Sequence, residues 1–273
     1  MNIDLHCHTT VSDGALSPAE LLNLAIQRDL DMLSITDHDS VDGYRQIEDL
    51  DIGFKLIAGI EFSTTWRNRA VHIVGLNIDL DNQDLLQGVQ LQSTARQERA
   101  VKIAAKLQQL GFENCLEGAK KHSLGGQIGR PHFAQHLVEI GAVANIQQAF
   151  RRYLGSGKAG DIKEHWASME EVISWIRNAG GVAVLAHPTK YAMTRSKLCA
   201  LVEDFLALGG EAMEVISGFQ TPSITASMAG LCEKYNLLAS CGSDFHSLDQ
   251  PWAALGRVPE LPSNCVPVWG RWQ

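Results

Sequence analysis

Histidines and carboxylates recur along this chain in short runs: His6-Cys7-His8, Ser12-Asp13-Gly14, Thr36-Asp37-His38, Glu61, His72, His187-Pro188 and Gly242-Ser243-Asp244-Phe245-His246. Mixed imidazole and carboxylate donors suit Zn, Mn or Fe held in sites that keep a position open for chemistry. His6 and His8 are two residues apart, as are Asp244 and His246, so each pair shares one face of an extended strand. Cys7 then points to the opposite face, where a thiol fills core space. One such histidine alone is more often a satisfied structural residue than a ligand. His6, His8, Asp13, His38, Glu61, His72, His187, Asp244 and His246 together are too many for that explanation, and they predict a metal centre.

Elements must carry these groups to one place. Runs rich in Ile, Val and Leu read as strands over 2–7, 32–36, 55–61, 70–76, 181–186, 212–217 and 238–243. Ser17-Pro18-Ala19-Glu20 supplies an N-cap, a proline at the first helical position and a capping-box glutamate, opening a helix to about Asp29. Ser168-Met169-Glu170-Glu171 does the same for a helix that stops at Gly180-Gly181. Strands alternating with helices predict an α/β fold with a parallel sheet, and seven strands suit a barrel related to the TIM type. There the strand C-termini share one rim, and six of the seven expected strands bring a His, Asp or Glu to it. The stretch from about 84 to 166 holds no strand pattern and reads as helices over 84–110, 113–121, 131–140 and 145–154. Four consecutive helices favour a helical insertion over a string of barrel helices.

Composition narrows the class. The chain has 273 residues, 45% hydrophobic and 20% charged, which excludes disorder and low-complexity repeats. No apolar run approaches the roughly 18 residues of a membrane span. The start, Met-Asn-Ile-Asp-Leu-His, lacks a basic head and an apolar signal core, which predicts a cytoplasmic protein. The six cysteines form no C-x-x-C pair and read as reduced thiols. Gly155-Ser156-Gly157-Lys158 lacks the upstream glycine of a phosphate loop, Arg152 standing there, and reads as a turn. Trp252, Trp269 and Trp272 are expected to pack one end of the barrel. Net charge is -8 but uneven: residues 96–163 hold 11 Lys+Arg against 5 Asp+Glu, and the remainder 12 against 26. A basic module in an acidic chain favours an anionic ligand.

The metal motifs resemble the PHP (polymerase and histidinol phosphatase) superfamily over residues 1–80 and 181–250. Gly129-Arg130-Pro131-His132-Phe133-Ala134 resembles the insertion of its TrpH-like branch, which includes 3′,5′-nucleoside bisphosphate phosphatases and 5′→3′ exoribonucleases. The resemblance implies a seven-stranded (β/α) PHP barrel, a distorted TIM-like fold. It would be built from residues 1–95 and 167–273, with a substrate-binding lid at 96–166. It implies two or three divalent metals, Mn²⁺ first, with Fe²⁺ or Zn²⁺ also fitting the donors. His6, His8, Glu61 and Asp244 would hold the first. Glu61, His72 and His187 would hold the second. Asp13, His38 and His246 would hold the third, at the hydroxide and phosphate site.

The implied activity is hydrolysis of the 3′-phosphate of nucleoside 3′,5′-bisphosphates to the 5′-monophosphate, with 5′→3′ trimming of short 5′-phosphorylated RNA at the same site. Metals acidify a water for attack on phosphorus and neutralise phosphate charge. Arg96, Arg99, Lys102 and Lys106 share one helix face, which could be solvated or could meet phosphate. Arg99 and Lys102 are the phosphate candidates in that stripe. Arg130 and His132 are stronger ones, because a guanidinium fork suits phosphate and Pro131 places a helix N-terminus there. The expected partner is a nucleotide or short oligoribonucleotide, with no membrane and no obligate protein partner. Histidinol-phosphate hydrolysis and a catalytically silent PHP binding module are the alternatives.

Overall fold

The computed structural model describes residues 1–273 apart from 49, 51, 163–165 and 273. Residues 163–165 belong to the insertion expected at 96–166, so that part of the expectation lies outside the described residues. The fold is α/β. β1 (Ile3–Cys7), β2 (Met32–Ile35) and β3 (Lys55–Leu56) form a parallel sheet of three strands. β4 (Gly59–Trp66), β5 (Arg69–Leu76), β6 (Val182–Leu185), β7 (Ala212–Ser217) and β8 (Leu238–Gly242) form a second sheet of five, in chain order.

Three expectations change here. Where seven strands in one barrel are expected, the described residues form eight strands in two sheets. The stretch expected as one strand over 55–61 divides, β3 ending at Leu56 and β4 running from Gly59 to Trp66. Isolated parallel bridges join the sheets at both edges, Cys7 with Phe245 and His38 with Glu61. The sheet is also not all parallel. Arg67 and Asn68 both have positive φ, 47° and 62°, the geometry of a type I′ hairpin turn. This turn sends β5 back antiparallel to β4, and β5 is antiparallel to β6 as well. His72 therefore reaches the rim from within β5, opposite Ser63 of β4.

Helices cover the sheets where the caps predict them. Ser17 and Ser168 form reciprocal capping boxes with Glu20 and Glu171 at the starts of α1 (Pro18–Gln27) and α7 (Met169–Asn178). The short α2 (Asp42–Arg45) follows β2, α8 (Arg195–Ala207) precedes β7, and α9 (Pro222–Tyr235) links β7 to β8. The main core lies between these layers and includes Leu5, Leu33, Ile60, Phe62, Ile73 and Phe205. Cys7 is buried in it as expected, its thiol donating to the Ser34 carbonyl at 3.1 Å, and all six cysteines are free. Trp269 and Trp272 pack against the core. Trp252 does not: it is 60% exposed, because its loop leaves the sheet at the rim instead of folding under it.

α3 (Gln83–Gln109) is the strut of the molecule. Its 27 residues span about 40 Å at 1.5 Å per residue. The first half packs on the main core through Leu85 and Gly88. Position 88 needs glycine, because a Cβ there would lie 2.4 Å from the Trp175 ring. The second half carries Ala100, Ile103 and Leu107 into a separate core with Phe133, Leu137 and Leu154. α4 (Cys115–His122), α5 (Arg130–Glu139) and α6 (Ile146–Ala149) surround that second core. The helix expected over 145–154 changes pitch at Phe150, where a π-helical turn over Phe150–Leu154 begins. The Gly155 N–H reaches back five residues to the Phe150 carbonyl at 2.8 Å.

Candidate active site

All nine sequence-expected ligands meet at the rim. Glu61 is their hub. Its Oε1 lies 3.4 Å from His6 Nε2 and 2.8 Å from both His72 Nδ1 and His187 Nε2. Its Oε2 lies 3.3 Å from His8 Nε2 and 2.8 Å from His38 Nδ1. Asp244 Oδ1 approaches His6 Nε2 at 3.5 Å and His8 Nε2 at 3.2 Å. On the outer side, Asp13 reaches His246 Nε2 at 3.3 Å and His38 Nε2 at 3.8 Å. Donor atoms of His8, Asp13, His38 and His246 lie within 4.8 Å of one another, as do those of His6, His8 and Glu61, and of His38, Glu61 and His72.

The electrostatics follow from crowding charges under cover. Burial opposes ionisation of Glu61, yet His38, His72 and His6 hold its carboxyl well below the usual range. Burial likewise opposes ionisation of Asp13, and His38 and His246 pull it well below. His8 goes the other way, down to about 3, through burial and the neighbouring His246. Burial works against a proton on His246, but Asp13 raises it to about 9.

A divalent metal fits this donor set. His38 Nδ1 and Glu61 Oε2 are buried and make no hydrogen bond. Each such atom costs about 1–3 kcal/mol when left unpaired. His38 Nδ1 and Glu61 Oε2 stand 2.8 Å apart in a geometry that satisfies neither, as expected of atoms arranged for an ion. Two of the expected ligands also sit on strained backbone, His187 at φ 27° and Asp244 at φ 54°. Such positions cost about 1–3 kcal/mol and persist only when surroundings fix them. The His187 N–H donates to Glu214 Oε2 at 2.6 Å, and the Asp244 N–H donates to the His6 carbonyl at 2.8 Å.

Several residues outside the nine expected ligands hold the site. Glu214 of β7 pairs with His6 Nδ1 at 2.5 Å through Oε1 while Oε2 fixes His187. β7 was the one expected strand assigned no functional group, and a glutamate inside the apolar run Ala212-Met213-Glu214-Val215-Ile216 is the signal that marks it. Asp37 accepts from Thr9 N–H at 2.8 Å, Thr9 Oγ1 at 2.6 Å and Ser12 Oγ at 2.6 Å, which pins the loop carrying Asp13. Asp4 accepts from the N–H groups of Ser243 and Gly256, both at 2.8 Å. The Lys190 ammonium pairs with Asp244. Glu214→Gln should weaken metal binding or activity roughly 10- to 100-fold, the usual effect of losing a partner that orients a ligating histidine. Metal titration of the variant checks this; an unchanged affinity and turnover would leave Glu214 a packing residue.

The cleft beside the cluster has a volume of about 150 Å³. Asp13, His38 and His72 line it from the sheets, and Arg96, Arg99, Arg130, Phe150 and Trp166 line it from the helical side. The basic stripe on α3 splits. Arg96 and Arg99 are buried at the cleft, whereas Lys102 is exposed and outside its lining. Arg96 Nε donates to Asp39 at 2.6 Å and its NH2 to Ser63 Oγ at 2.9 Å. Arg96 and Arg99 lie over the Trp166 ring at 5.3 and 5.6 Å. Arg130 lies 5.9 Å over Phe150 and donates to the Leu154 carbonyl at 3.2 Å. His132 takes a different place from the one expected. It is buried, its Nδ1 accepts the Gly129 N–H at 3.0 Å, and it caps α5 without lining the cleft.

Clustered imidazoles and carboxylates on an α/β rim, open to an arginine-lined cleft, are the arrangement of a metal-centred phosphoesterase. Residues 4–182 match the PHP domain family, and the chain belongs to it. It is 41% identical over 268 residues, 97% of each chain, to the 5′-3′ exoribonuclease of Haemophilus influenzae. It is 39% identical over 271 residues to the 3′,5′-nucleoside bisphosphate phosphatase of Chromobacterium violaceum, covering 98% of this chain and 95% of that one. Among solved structures, an amidohydrolase from Chromobacterium violaceum with bound sulfate and no metal superposes with a TM-score of 0.92 at 38% identity, over 99% of this chain and 95% of that one.

Proposed function

We propose that this protein is a metal-dependent phosphoesterase that hydrolyses the 3′-phosphate of nucleoside 3′,5′-bisphosphates and trims 5′-phosphorylated RNA from its 5′ end. One observation carries the reading: Asp13, His38 and His72 of the donor cluster line one cleft together with three arginines, Arg96, Arg99 and Arg130. A substrate with one reacting and one anchoring phosphate needs two such anion sites side by side. The names of the full-length relatives, a bisphosphate phosphatase and an exoribonuclease, support the same pairing. In this reading the two bridged sheets act as a closed barrel and residues 96–166 as the substrate-binding lid.

The division of labour follows from charge and reach. His6, His8, Glu61 and Asp244 would hold one metal, His72 and His187 with Glu61 a second, and Asp13, His38 and His246 a third. Divalent metal such as Mn²⁺, when bound, would supply charge neutralisation at the scissile phosphate and a water of lowered pKa. The arginines bind the 5′-phosphate and so fix the 3′ side of the ribose over the cluster. Trp166 backs the Arg96 guanidinium and Phe150 that of Arg130. In both reactions water oxygen bonds to phosphorus, the P–O3′ bond breaks, and O3′ takes a proton. From a bisphosphate this releases inorganic phosphate. From RNA it releases a 5′-mononucleotide and a shorter strand that again begins with a 5′-phosphate.

A substrate panel tests the reading. With Mn²⁺ present, adenosine 3′,5′-bisphosphate and short 5′-phosphorylated RNA should be hydrolysed well above histidinol phosphate. Chelation should remove the activity and Mn²⁺ restore it. Preference for histidinol phosphate, or activity that survives chelation, would overturn the proposal.

A further inference from the structure

The reaction just described leaves one part of an RNA substrate without a seat. The first nucleotide occupies the arginine side, and the strand beyond the scissile phosphate must leave across the opposite part of the rim. That part is built from the ends of β7 and β8, and it exposes large apolar side chains. Phe219 is 76% exposed, Trp252 60% and Leu248 62%. Two of them are joined through the backbone. The Phe219 N–H donates to the Trp252 carbonyl at 2.6 Å, so the two loops are locked together. Gly218, at φ 63°, would place a Cβ 2.9 Å from the Trp252 carbonyl oxygen and 3.0 Å from that of Ser243. Ser243 directly precedes the ligand Asp244. At 3.8 Å per residue, Phe219 therefore stands within about 10–12 Å of Asp244 along this path.

We propose that Phe219 and Trp252 form a stacking platform for the bases of single-stranded RNA on the 3′ side of the scissile phosphate. This rests on the phosphoesterase reading and extends it to the strand that stays after each cut. Three observations favour nucleic acid as the occupant. The platform is continuous with the metal rim. In the order β4-β5-β6-β7-β8 it lies away from β4 and β5, the strands beside the arginine side of the cleft. Lys190, half-exposed and paired with Asp244, stands on the same rim and offers a cation to the intervening backbone. Aromatic faces stack on any base, which suits an enzyme that must pass every sequence. Between Leu248 and Trp252 the loop reads Asp249-Gln250-Pro251, without a basic residue. Its contribution should therefore come from stacking and respond little to salt.

The test compares two substrates on one enzyme. Phe219→Ala and Trp252→Ala should each raise KM for a 5′-phosphorylated oligoribonucleotide about 5- to 30-fold, the lower part of the range for losing one base stack. Hydrolysis of adenosine 3′,5′-bisphosphate, which has no following nucleotide, should stay at the wild-type rate. Trp252→Phe should recover most of the loss. Fluorescence anisotropy of labelled RNA on the Glu61→Gln protein, with and without the platform changes, should show the same ratio in Kd. Equal losses on both substrates would make these residues supports of the site and overturn the platform. So would unchanged RNA KM, or an altered oligomeric state with RNA kinetics intact, which would make the patch an interface between copies. A wild-type protein that hydrolyses the bisphosphate but neither binds nor cuts RNA overturns the platform and leaves the phosphatase reading standing.

Discussion

Glu61→Gln should lower turnover on the order of 10³-fold or more while leaving the fold intact. The substitution keeps the shape of the side chain and removes its charge. Among the described residues no other side chain is so connected: its two oxygens face five imidazoles, those of His6, His8, His38, His72 and His187. A neutral amide there loses the charge that a metal pair would share and turns an NH₂ group toward nitrogen donors. Loss of one preorganised electrostatic group in an active site already costs about 10²–10³ in rate, and Glu61 would serve two metals at once. Metal content per chain should fall together with kcat, and far-ultraviolet circular dichroism should match the wild type. Near-normal turnover at saturating Mn²⁺ would show that Glu61 is a buried structural carboxylate and would sink the proposed ligand set.

The nine cluster residues were legible in the sequence for a physical reason. Strand alternation is local, so His6 and His8 reveal a shared face without any knowledge of the fold; the same expectation fails for Asp244 and His246, which lie beyond β8 with Asp244 at φ 54°, and they reach the cluster through the loop. Capping is equally local, and Ser17 and Ser168 open their helices where their glutamates predict. What escaped depended on partners far away in the chain. β5 runs antiparallel because Arg67 and Asn68 make a tight turn, although neither forms the Asn-Gly pair that usually marks one. Glu214 earns its role only when β7 comes beside β6 and the end of β1 meets the β8 edge of the same sheet, bringing His187 and His6 to its two oxygens. The spacing of Arg96, Arg99, Lys102 and Lys106 showed a common face, yet the helix packs so that Arg96 and Arg99 meet the cleft and Lys102 meets solvent. Trp252 reads as core by type, and only the path of the loop after β8 exposes it.

Arg130→Ala should lower kcat/KM for adenosine 3′,5′-bisphosphate roughly 10- to 150-fold while sparing a small aryl phosphate. The range corresponds to about 1.5–3 kcal/mol for a hydrogen bond to a charged group. Arg130 opens α5 directly after Gly129 and lies against Phe150. Asp161 stands 3.7 Å from its NH1, too far for a tight bidentate pair, so the guanidinium keeps donors for a phosphate. Burial lowers its pKa, against the pull of Asp161 and with the neighbouring Arg96 adding to the fall. A dianionic 5′-phosphate between these two cations would relieve that repulsion, which is binding energy an aryl phosphate never uses. The loss should appear mainly in KM, because the anchoring phosphate is bound alike in ground and transition states. Arg130→Lys should recover only part of it, since an ammonium lacks the planar fork. Equal losses on the bisphosphate and the aryl phosphate, carried in kcat, would instead place Arg130 at the reacting phosphate. The 5′-phosphate would then have to be held by Arg96 and Arg99 across the Trp166 ring.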